Sequence, residues 1–449
     1  MSVSRRNVLK TTAALTTTAL LSSAARTRGA DQSTSKPSTK PASTKADRPA
    51  FGIIGCGGIA RFHSGAARKF GDIVAICDVD QDHLASYQKD FAGGKAWTTN
   101  RYQDLLARPD VQLVFICTPD HWHTKIAIDA LRAGKDIYCE KPVTLTIDEG
   151  RILCRVARET GRVFQVGTQQ RSDERFLQAV ALAQAGRLGK IRQCTVAIGD
   201  TPTGTGFQTS APPKELDWDQ WLGQCPKVPF IKQRCHYDFR WWYEYSGGRM
   251  TDWGAHHVDI AQWAIAPDLP GPMLIEPTEV DLPVMYDRGY PTASNAFNTA
   301  SRFNVKFTFA NGAEMFVRDR VPNFPSDNGI LIEGDGGWLF VNRETIKGPA
   351  YDQLKENPLP DNAIPPLAQG VANSHERHVL NFITCARNRT QPVSDIFSHH
   401  KHLTTCHLGN IAMRLGRKLR WDATAQEIIG DAEADTFQSR QQRRGFEIV

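Results

Sequence analysis

Three groups of residues in this 449-residue chain have the types and spacing to do chemistry. Gly55-Cys56-Gly57-Gly58-Ile59-Ala60 is a G-x-G-x-x-A turn that follows the apolar run Phe51–Ile54, and Asp78 stands 18 residues after Ala60, at the end of a second apolar run, Ile73–Cys77. Gly55 permits a tight turn, Gly57 lets backbone amides approach a pyrophosphate, and small Ala60 lets helix and strand pack closely. A carboxylate at Asp78 can accept from both ribose hydroxyls of an adenosine and repels a 2′-phosphate, which favours NAD over NADP. The second group is Glu140-Lys141-Pro142. The third is Asp252 with His256, four apart on one helix and therefore facing one cleft. Oxidising a C–OH needs a base for the hydroxyl proton and a positive group beside the oxygen as charge develops. Each member also has a bland alternative: Lys141 as a surface lysine, His256 as a satisfied core histidine, Asp252 as a helix cap.

Positioning these groups requires an open parallel sheet. The chain reads strand, turn, helix, strand, repeated: Phe51–Ile54, Ile73–Cys77, Val111–Thr118, Asp136–Cys139 and Val163–Val166, with helices near Lys125–Ala133 and Thr146–Thr160, making about six parallel strands. Thr118-Pro119 and Glu140-Lys141-Pro142 fall at carboxyl ends of strands, where such sheets bind ligands. After Gly167 the rhythm changes. A helix near Glu174–Ala185, strands at Ile191–Ile198, Asn304–Phe309, Ala313–Val317 and Ile330–Glu333, and turns at Asn311-Gly312 and Gly336-Gly337 predict a mostly antiparallel sheet on helices. Helical periodicity from Glu376 to Leu415 predicts a return to pack on the nucleotide domain. The fold class is α/β: an N-terminal doubly wound Rossmann sheet plus a C-terminal α+β domain with an open sheet.

These motifs resemble the glucose–fructose oxidoreductase / inositol dehydrogenase / MocA (Gfo/Idh/MocA) family. The residues that carry the resemblance are the Gly55–Ala60 turn, Asp78, Thr118-Pro119 with His123 four residues after the proline, Glu140-Lys141-Pro142, and Gly247-Gly248-Arg249-Met250-Thr251-Asp252-Trp253-Gly254-Ala255-His256-His257-Val258-Asp259. The resemblance covers about Phe51 to Asp422. It implies Lys141, Asp252 and His256 as the catalytic set: His256 as proton acceptor, Lys141 polarising the oxygen, Asp252 binding substrate and orienting its neighbours. The roles are coupled and exchangeable. The cofactor contacts expected are Gly55, Cys56, Gly57, Gly58, Ile59, Ala60, Asp78, Thr118, Pro119, His123, Glu140 and Lys141. His257 is the rival of His256, but adjacent helix positions point about 100° apart, and the family spacing picks His256. Gln169, Gln170 and Arg171 on one side, and Trp241, Tyr243 and His257 on the other, are candidate substrate contacts. The aromatic run Arg240–Tyr245 suits a sugar ring, with interdomain core as its equal alternative. The resemblance also implies a homodimer or homotetramer formed through the open sheet.

The formal charge of +6 does not describe the folded body. Residues 1–30 carry +5 and residues 31–50 carry +2, leaving −1 from Phe51 onward, which excludes the basic footprint of a nucleic-acid binder. Ser4-Arg5-Arg6-Asn7-Val8-Leu9-Lys10, followed by a Thr-rich apolar stretch too short to span a bilayer, resembles a twin-arginine export signal, with Val8 where Phe is usual. The expected organisation is a signal over 1–30, a disordered linker over 31–49, a Rossmann NAD-binding domain over 50–168, a substrate and oligomerisation domain over 169–422 and a tail over 423–449, with little to read in Gln438–Arg444. No stable membrane anchor is expected, the compartment is periplasmic or otherwise exported, and the export machinery is a partner. Most of the ten cysteines lie in apolar runs as small hydrophobes; Cys225 and Cys235 are the pair to check for a bridge. No zinc spacing occurs, so no metal is expected, and His121/His123 and His399/His400/His402 read as surface or cleft histidines.

The expected activity is hydride transfer between a tightly bound nicotinamide cofactor and a carbinol carbon of a sugar, polyol or related cyclic alcohol. The alternatives are a glycoside-cleaving enzyme that oxidises C3 transiently, and a non-catalytic nucleotide-binding scaffold, which fold alone does not exclude.

Overall fold

The structure, a computed structural model, describes residues 48–321, 326–365, 370–371 and 373–449. The twin-arginine stretch and residues 31–47 of the expected linker lie outside the described residues. Arg48 and Pro49, assigned to that linker, already belong to the fold: Arg48 donates to the Gly71 carbonyl at 2.6 Å, and the Pro49 carbonyl accepts from the Asp72 amide at 3.0 Å. No helix among the described residues is long and apolar enough to cross a membrane.

The first half builds a six-stranded parallel sheet in the order β3-β2-β1-β4-β5-β6. Its strands are β1 (Ala50–Ile54), β2 (Asp72–Cys77), β3 (Trp97–Thr99), β4 (Leu113–Ile116), β5 (Asp136–Cys139) and β6 (Phe164–Val166). The order reverses between β1 and β4, and a ligand crevice opens above such a switch point. Helices α1 (Gly58–Phe70), α2 (Gln81–Asp90), α3 (Tyr102–Leu106), α4 (Asp120–Arg132) and α5 (Ile147–Thr160) connect the strands. Strand β3 has no apolar run to announce it, because Trp97 and Thr98 are exposed at the sheet edge. Helix α4 begins at Asp120 rather than near Lys125, directly after Pro119, and strand β4 is correspondingly shorter than the run Val111–Thr118.

The second half forms a nine-stranded mixed sheet. Its interior strand Ile191–Ile198 pairs in parallel with the central strand Glu314–Arg318 and antiparallel with Asn328–Gly334, and the remaining pairs are antiparallel. Helices Glu174–Gln184, Gly254–Ile265 and Ile396–Leu415 bury their apolar sides in one cluster with this sheet. The helical stretch read as continuous from Glu376 to Leu415 is two helices, Ser374–Asn388 and Ile396–Leu415. The first stops where Arg389 takes φ 56°, and Asp395 caps the second by accepting from the Phe397 and Ser398 amides. Val379, Phe382 and Ile383 then join the core of β1 and α1, so the chain does return to the nucleotide half.

Two long-range ties fix the halves against each other. The segment between Ile198 and Gly248 carries its own aromatic cluster of Trp221, Phe239, Trp241, Trp242 and Tyr245. It docks beside Asp78, where the Asp217 amide donates to Val79 O at 3.0 Å and the Gln81 amide to Glu215 O at 3.0 Å. The tail beyond Asp422 is the second tie, and it corrects the expectation of an unreadable end. Arg440 Nε donates to Glu149 Oε1 at 2.6 Å, with the Glu149 side chain 3 % exposed, and Phe446 and Ile448 pack on the nucleotide-domain core. Removing one member of a buried ion pair leaves the other uncompensated, at a cost of about 3–5 kcal/mol. Arg440→Met is therefore expected to lower unfolding stability by about that amount in denaturant titration, and adding Glu149→Gln should recover part of the loss.

Candidate active site

The glycine turn has the shape a dinucleotide needs. Gly55 sits at φ +87°, where a Cβ would come within 2.7 Å of the Cys117 carbonyl and the Thr118 amide, so only glycine fits against β4. A Cβ on Gly57, by contrast, would meet nothing within 4 Å, which leaves open space above the first turn of α1. Helix α1 has no side-chain cap and no acid in its first turn, so its leading amides are available to an anion. The Asp78 carboxylate accepts from the Cys56 amide at 2.6 Å and the Asp80 amide at 2.9 Å, which fixes it at the β2 end. Thr118 Oγ1, at the end of β4, is buried with no partner. An open cradle, free helix amides and an orphaned hydroxyl all fit NAD. Gly55–Ala60, Asp78 and Thr118-Pro119 are the residues that would hold it.

Two expected cofactor contacts do other work. Both ring nitrogens of His123 are occupied, Nδ1 at 2.7 Å from Pro142 O and Nε2 at 2.8 Å from Thr118 O, so the ring ties the loops after β4 and β5 together. Glu140 turns inward to His63 on α1, Oε1 to Nε2 2.6 Å. Burial alone would raise its carboxyl pKa, but the hydrogen bond and charge of His63 bring it below the usual value.

Lys141, at the end of β5, reaches Asp252 from the other half of the chain. Nζ donates to Asp252 Oδ1 at 2.7 Å and to its carbonyl at 3.1 Å. Asp252 also faces Arg240 at 3.4 Å and Arg249 at 3.7 Å. Burial pushes the Asp252 carboxyl up, but Lys141, Arg240 and Arg249 outweigh it and hold the pKa at about 2. Asp252 and His256 are not on one continuous helix: Gly248–Asp252 and Gly254–Ile265 meet at Trp253, with the His256 amide donating to Trp253 O at 3.0 Å. His256 is buried and its imidazole makes no hydrogen bond to a described residue, with Nδ1 an orphan. Burial first, then the nearby charges of Lys141 and Arg343, depress its pKa well below the ordinary value. The structure thus brings a buried imidazole of depressed pKa within electrostatic reach of the Lys141–Asp252 ion pair.

The candidate substrate wall is largely interior. Arg171 makes a buried two-pronged ion pair with Asp259, both contacts 2.6 Å. Trp241 is core, Tyr243 stacks under Arg414 and donates to Asn410, and Glu244 is held by Arg234 and Asn298. His257 points to Asn328, Nε2 to Oδ1 2.5 Å, away from the cleft. With its amide turned so that the oxygen accepts from Arg343 Nε at 3.1 Å, Gln170 donates to His256 O at 3.0 Å and meets His257 Nδ1 at 3.2 Å. Gln169 alone of that set is neither buried nor hydrogen-bonded through its side chain to another described residue.

Several features escape reading by spacing. Asp120, at the start of α4, accepts from Ser246 Oγ at 2.5 Å; burial raises its carboxyl to about 7 against the pull of Arg240, Ser246 and Lys141. Arg343 comes from the far sheet. Asp80, His83 and His236 each place one ligand atom within 4.8 Å of the others, a grouping no local motif contains. His121, His123, His399, His400 and His402, expected as surface or cleft histidines, are all buried, so none lies at the surface. Cys225 and Cys235 are both free thiols, and Cys225 Sγ donates to Glu244 O at 2.9 Å.

Comparison with known proteins identifies the lineage. Residues 50–168 match the oxidoreductase family with an NAD-binding Rossmann fold (GFO_IDH_MocA), and residues 203–448 match that family's C-terminal alpha/beta domain. The chain belongs to the Gfo/Idh/MocA oxidoreductase family. It is therefore an NAD-binding oxidoreductase, as the glycine turn and Asp78 imply. An inositol 2-dehydrogenase of Rhizobium meliloti is 25% identical over 73% of this chain and 87% of its own length. The uncharacterized oxidoreductase YrbE of Bacillus subtilis is 25% identical over 64% of this chain and 71% of its own. Among solved structures, the aldose-aldose oxidoreductase of Caulobacter crescentus has a TM-score of 0.60 at 18% identity, covering 83% of this chain and 99% of that one. The WlbA dehydrogenase of Bordetella pertussis, in complex with NADH and UDP-GlcNAcA, has a TM-score of 0.58 at 21% identity over 84% and 99%. These likenesses bear out the fold.

The His256 environment sets a pH dependence. A base with a depressed pKa stays unprotonated as pH falls through the ordinary imidazole value of about 6.5. The acid limb of kcat/KM is thus expected well below 6.5, and His256→Ala should remove that limb while lowering kcat/KM by about 10²–10⁴-fold in steady-state assays.

Proposed function

We propose that this family member moves a hydride between the nicotinamide of NAD and a carbinol carbon of a sugar, polyol or related cyclic alcohol. The observation that carries the reading is the 2.7 Å Lys141–Asp252 pair beside an unpartnered, neutral His256. NAD, when bound, supplies the hydride acceptor. His256 takes the hydroxyl proton on its free ring nitrogen. Lys141 Nζ hydrogen-bonds the substrate oxygen as negative charge develops there. Asp252 stays ionised throughout and holds the ammonium in place. The names of two relatives, inositol 2-dehydrogenase and aldose-aldose oxidoreductase, support the substrate class.

Export through the twin-arginine route, signalled by Arg5 and Arg6, belongs to the same reading. Free NAD is scarce outside the cytoplasm, so a cofactor carried out with the folded protein, then reduced and reoxidised in one cycle, suits that location. A homo-oligomer joined through the nine-stranded sheet completes the proposal.

Asp120 favours a second reading. Cleavage of a glycoside after transient oxidation at C3 needs an acid to protonate the departing oxygen, and a carboxyl pushed up to about 7 beside Lys141 and Arg240 keeps a proton near neutrality. Reduced nicotinamide that accumulates within a turnover supports net oxidation; an aglycone released with no net absorbance change supports cleavage.

Lys141→Ala is expected to lower turnover by at least about 10²-fold while NAD stays bound, read by nicotinamide absorbance and by mass spectrometry of the released cofactor. Full activity in that variant would refute the assignment. Arg5→Lys with Arg6→Lys is expected to leave the protein in the cytoplasm on cell fractionation, and normal secretion of the double variant would remove the export reading.

A further inference from the structure

Positive charge outnumbers negative around Asp252, and one arginine there makes no ion pair with a described residue, although Asp252, Asp173 and Glu140 act on it at longer range. Lys141, Arg240 and Arg249 all converge on the single carboxylate of Asp252. The neighbouring acids are engaged elsewhere: Glu140 with His63, Asp173 with Arg175, and Asp120 with Ser246. Arg343 adds a further positive charge. It stands on the hairpin turn between strands Gly337–Val341 and Ile346–Lys347, fixed by Asn342, whose Oδ1 accepts from the Glu344 amide at 2.9 Å and the Thr345 amide at 2.8 Å.

The Arg343 side chain is braced for use rather than folded into the interior. Its guanidinium lies 4.6 Å from the ring centroid of Trp253, the residue that follows Asp252. Its Nε donates to the Gln170 oxygen at 3.1 Å, and the same Gln170 amide holds the His256 carbonyl at 3.0 Å. Its two terminal nitrogens make no hydrogen bond or ion pair with any described residue, and the residue is exposed. It is also close enough to be among the charges that depress His256. A planar, charged fork held from behind by an indole and an amide, with its two outer donors free, matches the geometry of a carboxylate.

We infer that Arg343 binds an oxyanion on the substrate, so that this site takes sugar acids, uronates or aldonates, in preference to neutral sugars. The inference rests on the proposed function in placing the substrate beside His256. The carboxylate sits away from the reacting carbon and is not consumed; Arg343 is a specificity residue, binding the end of the substrate opposite the carbinol being oxidised. The positive charge of an oxidised nicotinamide would add to the excess already present, and a substrate anion offsets it.

The test uses the full-length NAD-bound protein and matched ligands: D-glucose against D-glucuronate and D-gluconate, with D-glucose 6-phosphate as the arm that separates a carboxylate from a phosphate. Binding is read by calorimetry, with the protein's tryptophan fluorescence as a second signal, and turnover by nicotinamide absorbance. An acid is expected to bind about tenfold to a hundredfold more tightly than glucose, the return from a charge-assisted two-pronged contact, with an advantage that shrinks as salt rises. Arg343→Gln should erase that ratio and leave NAD affinity unchanged, and Arg343→Lys should keep part of it. Preference for the phosphate with the same dependence on Arg343 would keep the oxyanion site and overturn the carboxylate. Equal binding of glucose and the acids, failure of every anionic ligand to bind, or an unchanged ratio in Arg343→Gln would each overturn the inference. If acids bind through Arg343 but no carbinol reduces the nicotinamide, the catalytic reading fails instead.

Discussion

The contact between Lys141 and Asp252 is the constraint the rest of the molecule serves. It joins an ammonium at the end of a parallel strand to a carboxylate delivered by a different sheet-and-helix layer, 111 positions later in the chain. Both side chains are mostly removed from water, and two charges in such a place are costly unless their geometry is nearly ideal. The structure supplies that geometry with ties that look unrelated to chemistry. The Ile198–Gly248 segment is bound to the chain that follows β2, the tail is anchored through Arg440 to α5, and Val379 and Phe382 are buried against the Rossmann core. Each fixes one half of the chain against the other, so an ion pair across the cleft keeps its length without being rebuilt each time substrate enters.

What was legible in the sequence was chemistry that depends on near neighbours. The glycine turn, the acid at the end of β2 and the strand-end lysine each follow from a local pattern whose geometry is set within a few residues, so their positions could be read before the fold was known. Contacts made across long separations could not. Arg171 reads as a candidate substrate contact opposite the aromatic run, yet Asp259, 88 residues on, claims both prongs of its guanidinium. The tail looked featureless because one arginine and two apolar residues have no period, although Glu149 lies 291 residues upstream. The aromatic run before Gly247 had two readings of equal merit, and burial of Trp241 and Trp242 decided for the core.

The histidines show the same limit from another side. A pair at His256 and His257 is symmetrical in sequence; burial affects both, but hydrogen bonding separates them. His257 is secured by Asn328, whereas His256 has a ring nitrogen with nothing to bond. A buried polar atom without a partner costs stability, and under the proposed function that partner would arrive with the substrate. Thr118 Oγ1 is in the same state on the cofactor side.

The positive charge gathered in the cleft does several jobs at once. It holds Asp252 ionised despite burial, adds to the larger effect of burial in keeping a proton off His256, and under the proposed function would favour negative charge on a substrate oxygen. A site arranged for the last effect alone would need only Lys141. Arg240 and Arg249 reinforce the ionised Asp252 that positions Lys141, and they need no contact with substrate to do so. Arg343 stands outside this division, because it makes no ion pair with a described residue and feels Asp252, Asp173 and Glu140 only at longer range. A guanidinium with no ion-pair partner raises the local concentration of anions and repels cations, so under the proposed function the charge that acts on His256 would also select among substrates.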